Sequence, residues 1–147
     1  MTALDFLLRC QPWLIAPEAL RAMATKAFGF FDNQVKLPEA ASNPLLSVEN
    51  GVGIISLHGP MMRNPDLISR LLFGALDIEE AMGAVIEAAR RDDVHAIMLN
   101  IDSPGGTVNG TPELAQAVAD ASQQKYVYAF SGGQMCSAAY WVASQCD

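Results

Sequence analysis

The chain has 147 residues, 51% hydrophobic and 17% charged, which is enough for one domain with a packed core and too few for two ordinary ones. A formal net charge of -7 repels phosphate backbones, and no basic stripe with interleaved aromatics offsets it, so nucleic acid is not an expected partner. No apolar run reaches the roughly eighteen residues of a membrane helix, no basic segment precedes the short apolar run of "MTALDFLLRCQPW", and the three cysteines form no CxxC pair; a reducing, cytoplasmic setting is expected, without membrane segment, secretory leader or disulfide framework.

In chain order, "PWLIAPEALRAMATKAFGFF" sets Leu20, Met23, Ala24, Ala27 and Phe28 at helical spacing after a Pro-Glu start, which predicts an amphipathic helix or arm. "DNQVKLPEAASNP" has no period and reads as a linker. Residues 1–44 are therefore expected to form an arm and linker, and 45–147 the compact domain. There "LLSVE" and "VGIISL" flank Asn50-Gly51, the strongest two-residue hairpin signal, and predict a hairpin leading into a core strand.

"HGPMMRNPDLISRLLFGAL" begins as a loop, turns apolar and fits no single element; Met61 and Met62 either line an apolar groove or fill the core. Asp77 is the expected cap of a helix over "IEEAMGAVIEAARR", with Ile78, Ala81, Met82, Val85, Ile86 and Ala89 on one face and Glu79 and Glu80 at its positive end. "HAIMLNI" is nearly continuous in apolar character, as for a parallel strand covered on both faces. Thr111 is the expected cap of the next helix, with Pro112 at its first position. "YVYAF" then reads as a strand and "SAAYWVAS" as a helix. This alternation predicts an α/β fold, a parallel sheet with helices on both faces.

In such a sheet the loops leaving the carboxyl ends of strands form the binding crevice. Two lie there, "DSPGG" after "HAIMLNI" and "SGGQMCS" after "YVYAF". Gly105 and Gly106 can present backbone N–H groups without side chains in the way, although a plain tight turn explains an isolated Gly-Gly as well. Ser137 suits an N-cap; it also suits a nucleophile at a strand-to-helix turn, with the Ala138 N–H beside it for a developing oxyanion. The flanks are not GxSxG, so an α/β-hydrolase elbow is not indicated.

"GIISLHGPM", "IMLNIDSPGGTV" and "YVYAFSGGQMCSAAYWVAS" together resemble the signal peptide peptidase A type of serine peptidase, and "CSAAYWVAS" looks closest to its phage capsid-assembly members. The resemblance runs from about Leu45 to Asp147. It implies a Clp-protease-like, crotonase-type α/β fold in which Ser137 is the nucleophile, activated by a lysine. Gly105 or Gly106, with Ala138, would then supply the oxyanion-hole N–H groups. It further implies a protein or peptide substrate, self-association into an oligomer, and neither cofactor nor metal. In that family the lysine lies well downstream of the serine, and the sequence ends ten residues after Ser137. The expectation is an N-terminal part of the peptidase domain without its base, inactive by itself.

Other bases are poorer candidates. Lys26, Lys36 and Lys125 precede the serine and read as surface charges, His58 follows "VGIISL" near the crevice, and His95 lies at the opposite edge. Cys136 reads as a small packed residue without a partner base. The leading expectation is a Ser-Lys endopeptidase of phage head, scaffold or portal maturation. The alternatives are a non-catalytic relative serving as an oligomerising assembly module, a bacterial signal-peptide peptidase and, more weakly, a crotonase-type acyl-CoA enzyme.

Overall fold

Asn50 and Gly51 take φ angles of 50° and 81° and close a two-residue turn, as the Asn-Gly pair predicts. The structure, a computed structural model, describes residues 12–33 and 44–147. In chain order the elements are β1 (Trp13–Ile15), α1 (Pro17–Asn33), β2 (Leu46–Glu49), β3 (Val52–His58), β4 (Met61–Met62), α2 (Leu67–Phe73) and β5 (Leu76–Asp77). They continue with α3 (Ile78–Arg90), β6 (Ala96–Asp102), β7 (Gly105–Thr107), α4 (Thr111–Ser122), β8 (Tyr126–Phe130) and α5 (Ala138–Ala143). The expected linker lies largely outside the described residues.

The strands form two four-stranded sheets, ordered β2-β3-β6-β8 and β1-β7-β4-β5. In the first, β3, β6 and β8 are parallel and β2 pairs antiparallel with β3 through the hairpin. In the second, β4 pairs parallel with β5 and β7, and β1 lies antiparallel on the other edge of β7. The stretch that fitted no element by sequence thus holds two short strands and a helix. The Asp66 side chain accepts the Ser69 N–H at 2.7 Å to start that helix, and Gly74, at φ 65°, ends it.

Asp77 caps α3 as predicted, its Oδ1 accepting the Glu79 N–H at 3.0 Å and the Asn64 N–H at 3.2 Å, while Arg70 pairs with its Oδ2 at 2.7 Å. The cap of α4 differs from expectation: Gly110, at φ 91°, is the N-cap, and Thr111 lies inside the helix. Its hydroxyl donates to the Thr107 carbonyl at 2.7 Å, so it ties α4 to the end of β7 rather than accepting a helix N–H.

The core lies on one face of the first sheet. Ile55 and Leu57 of β3, Ile97, Leu99 and Ile101 of β6 and Val127 of β8 are buried against Ala81, Val85, Leu114, Val118, Ala139 and Val142 of α3, α4 and α5. Each of the large side chains contributes about 1.5–3 kcal/mol by leaving water. The fold is α/β, as expected, and the helices of this core lie on one face of the sheet. Intervening residues such as Ile54 and Met98 are half-buried, and on the edge strand Tyr126, Tyr128 and Phe130 are 67%, 53% and 57% exposed. The rings of Tyr126 and Tyr128 stack with centroids 6.3 Å apart. A smaller cluster, Met23, Ala27 and Phe73 with Trp13, Ile15, Ile68 and Leu72, joins β1 and α1 to α2. Among the described residues no helix is long and apolar enough to cross a membrane.

Candidate functional site

Parallel β6 and β8 end side by side, and the chain after β8 makes an excursion through Ser131-Gly132-Gly133 before rejoining β6. Met135 bridges to Ser103 in parallel, the Ser103 N–H donates to the Gln134 carbonyl at 2.8 Å, and the Cys136 N–H donates to the Ser103 carbonyl at 3.1 Å. The Asp102 carboxylate holds the excursion from below, accepting the Gln134 N–H at 2.9 Å and filling the space that a Cβ at Gly133 would need. This resumed pairing sets Ser137 beside Gly105: a Cβ built on Gly105 would lie 3.0 Å from the Ser137 Cβ. The two turns singled out in the sequence therefore meet.

Ser137 has φ 56° and ψ -116°, a conformation that L residues other than glycine seldom adopt and that costs about 1–3 kcal/mol. It opens α5, as a cap would, but its hydroxyl makes no capping hydrogen bond. Ala138, Ala139 and Val142 are completely buried and anchor the helix in the core, so the turn in front of it absorbs the strain. The side chain is half-buried, and no hydrogen bond ties it to another group among the described residues. Nor does the Ala138 N–H, first of α5, meet an acceptor there. A hydroxyl and an adjacent unused N–H are the parts required for attack on a carbonyl and for holding the oxygen that becomes negative.

Gly105 and Gly106 have different reasons to lack side chains. Gly105 takes φ 101°, in the region that favours glycine, and the backbone of Leu14 and Ile15 presses against it from β1. At Gly106 the Met61 backbone of β4 occupies the place of a Cβ, so it serves close packing of strands. The Gly105 N–H donates to the Ser103 Oγ at 3.2 Å, and that hydroxyl donates to the Gly59 carbonyl at 2.7 Å. In this arrangement the Gly105 donor is engaged. Ser103 and Asp102, which hold the two turns in place, were not singled out by sequence reasoning, although both stand in "DSPGG".

Among the described residues no lysine or histidine hydrogen-bonds to Ser137. Lys125 lies at the far end of the sheet, where its Nζ donates to the Arg91 and Ala88 carbonyls at 2.6 and 2.9 Å and closes the carboxyl end of α3. It is thus a half-buried clamp rather than a freely solvated charge. Lys26 is exposed on α1, and Lys36 lies outside the described residues. His58 is exposed at the carboxyl end of β3, in register with Asp102 and so at the crevice edge of the sheet. His95 precedes β6 at the opposite edge, its N–H donating to the Gly51 carbonyl at 2.7 Å. Met61 and Met62 are both buried, and Met61 belongs to the main core. Cys136 is half-buried, while burial, with Asp147 nearby, pushes the Cys146 thiol up to about 11; Cys10 lies outside the described residues.

No family model matches the chain. It is 31% identical over 101 residues to the head-tail preconnector protein GP5 of Enterobacteria phage P21, and the alignment covers 68% of this chain and 20% of that protein. The chain thus spans about one fifth of the length of the curated relative that it matches. The chain is thus similar in sequence to part of a phage head-tail preconnector protein, which makes it a phage head-related protein.

Proposed function

We propose that the chain carries the nucleophile and oxyanion-binding turn of a serine endopeptidase that acts on proteins of a phage head during assembly. The observation that carries this reading is the Ser137 backbone, held at φ 56° beside Gly105 with its hydroxyl left out of helix capping. Strain of this kind persists where the surrounding structure over-determines it. The relative's name, a head-tail preconnector, supplies the setting.

In the reaction Ser137 Oγ adds to the scissile carbonyl as a base removes its proton, and the Ala138 N–H takes the developing oxyanion. For the Gly105 N–H to join it as a second donor, its 3.2 Å bond to the Ser103 Oγ must be given up. The base belongs to the Ser-Lys type that the resemblance implies: a desolvated lysine, its pKa lowered so that it accepts a proton near neutral pH, which is not found beside Ser137 among the described residues. The assembly is a homo-oligomer, in keeping with a head component.

The test co-expresses the chain, in its natural polypeptide, with phage head proteins. Cleavage of a head protein that disappears with Ser137→Ala while particles still assemble supports the peptidase. Cleavage that survives the substitution removes Ser137 as nucleophile. A second reading, an oligomerising assembly module without catalysis, draws on the engaged Gly105 N–H; it predicts that no head protein is cut and that Ser137→Ala leaves assembly unchanged.

A further inference from the structure

We propose that β1 is an internal occupant of a peptide-strand site on β7, so that the chain covers its own Ser137 until the N-terminal arm is displaced by an extended peptide. β7 has two edges. One is taken by β4 through the Met61 and Gly106 pairing, and the other, facing Ser137, is filled by β1. The register is Trp13 with Thr107, Leu14 with Gly106 and Ile15 with Gly105. It is closed at its ends by the Ala16 N–H on the Pro104 carbonyl at 2.7 Å and the Val108 N–H on the Pro12 carbonyl at 2.8 Å.

The position of this strand relative to the serine gives it consequence. The space beside Gly105 where a Cβ would stand is bounded by the Leu14 carbonyl oxygen, by the Ile15 Cα at 3.0 Å and by the Ser137 Cβ at 3.0 Å. The Leu14–Ile15 peptide and the hydroxyl-bearing residue thus flank one glycine, with no side chain between them. An incoming peptide that reached Ser137 along the same edge would have to replace β1.

The arm can also leave without dismantling the fold. Trp13, Ile15, Met23 and Ala27 pack with Ile68, Leu72 and Phe73, and no residue of β1 or α1 belongs to the main core. Three residues of edge pairing and a small cluster are the kind of contact that opens locally at a fraction of the global unfolding free energy. The ligand is therefore an extended, apolar peptide running antiparallel to β7, bound through its main chain by strand addition. Occupancy of the edge rests on the pairing alone; its effect on access to Ser137 rests on the function proposed above.

The experiment uses the full chain with Leu14→Pro, which removes a strand N–H, and separately with Ile15→Ala, which trims one docking side chain. Exchange of the Val108 amide reports β1 on β7, and exchange of the Leu76 amide, which donates to the Pro60 carbonyl at 2.8 Å, reports the rest of that sheet. The variant that keeps Leu76 protected is scored. A labelled peptide spanning residues 11–17, "QPWLIAP", is expected to bind it at least about tenfold more tightly than it binds the unaltered chain and to restore Val108 protection. The same peptide N-methylated at its leucine is expected not to bind. Equal binding to variant and unaltered chain, or no binding to the scored variant, overturns the proposal. Repeating the measurement with Ser137→Ala added is expected to leave binding unchanged, so that a failed peptidase and a failed strand exchange give different results.

Discussion

The Ser103 hydroxyl donates to the Gly59 carbonyl at 2.7 Å and ties the turn after β3 to the turn after β6, 44 residues apart in sequence. The same oxygen accepts the Gly105 N–H, and Ser103 is completely buried. Ser103→Ala leaves the half-buried Gly59 carbonyl and the buried Gly105 N–H without this partner, which is expected to cost about 1–3 kcal/mol in urea denaturation. A variant as stable as the unaltered chain would show that water replaces the hydroxyl at no cost.

Two glycine-to-alanine substitutions are expected to move stability in opposite directions. At Gly106 the methyl collides with the Met61 backbone, so β4 and β7 must part, and a loss above about 3 kcal/mol or failure to fold is expected. Gly83, exposed in α3, has open space where its Cβ would stand. There alanine is expected to raise stability by up to about 1 kcal/mol through helix propensity. Thermal or urea unfolding of the pair checks both signs.

Lys125→Met keeps the length of the side chain and removes its bonds to the Arg91 and Ala88 carbonyls. A loss of about 1–2 kcal/mol is expected, from fraying at the end of α3. If Ser137 is the nucleophile proposed above, its labelling by a serine-directed phosphonate is expected to be unaffected. Loss of labelling in a folded Lys125→Met protein would assign this lysine a place in the chemistry that its position does not offer.

Cys146 alkylation should be slow through pH 9 and rise as pH approaches 11, because burial keeps the thiol protonated above its usual value of 9.0. The linked effect on stability has the opposite sign. Between those pH values the unfolded chain releases this proton first, so the contribution of Cys146 is fully present below pH 9 and is lost as pH rises toward 11. Iodoacetamide rates mapped to Cys146 by mass spectrometry test the first statement, and urea titrations across the same range the second.

What could be read from the sequence was local. Asn50-Gly51 fixes the hairpin because its backbone needs positive φ, and Asp77 fixes the start of α3 because its carboxylate meets the next turn. The meeting of the two turns was legible because "DSPGG" and "SGGQMCS" both leave carboxyl ends of parallel strands. What escaped depends on distant partners. β1 is three residues long and is a strand only through β7, some ninety positions away; β4 and β5 are two residues each. The one-sided sheet was masked by Ile54, Met98 and Tyr128, apolar residues on the less covered face that erase the alternation a half-open strand should show.

The φ of 56° at Ser137 also sets stability against use. Glycine would relieve the strained backbone there and alanine would not, so Ser137→Gly is expected to be more stable than Ser137→Ala even after the greater chain entropy of glycine is counted against it. A polypeptide selected for folding alone would drift toward glycine at this position. A serine that holds its place does so against that drift, and the difference in unfolding free energy between the two variants measures what the hydroxyl must return in function.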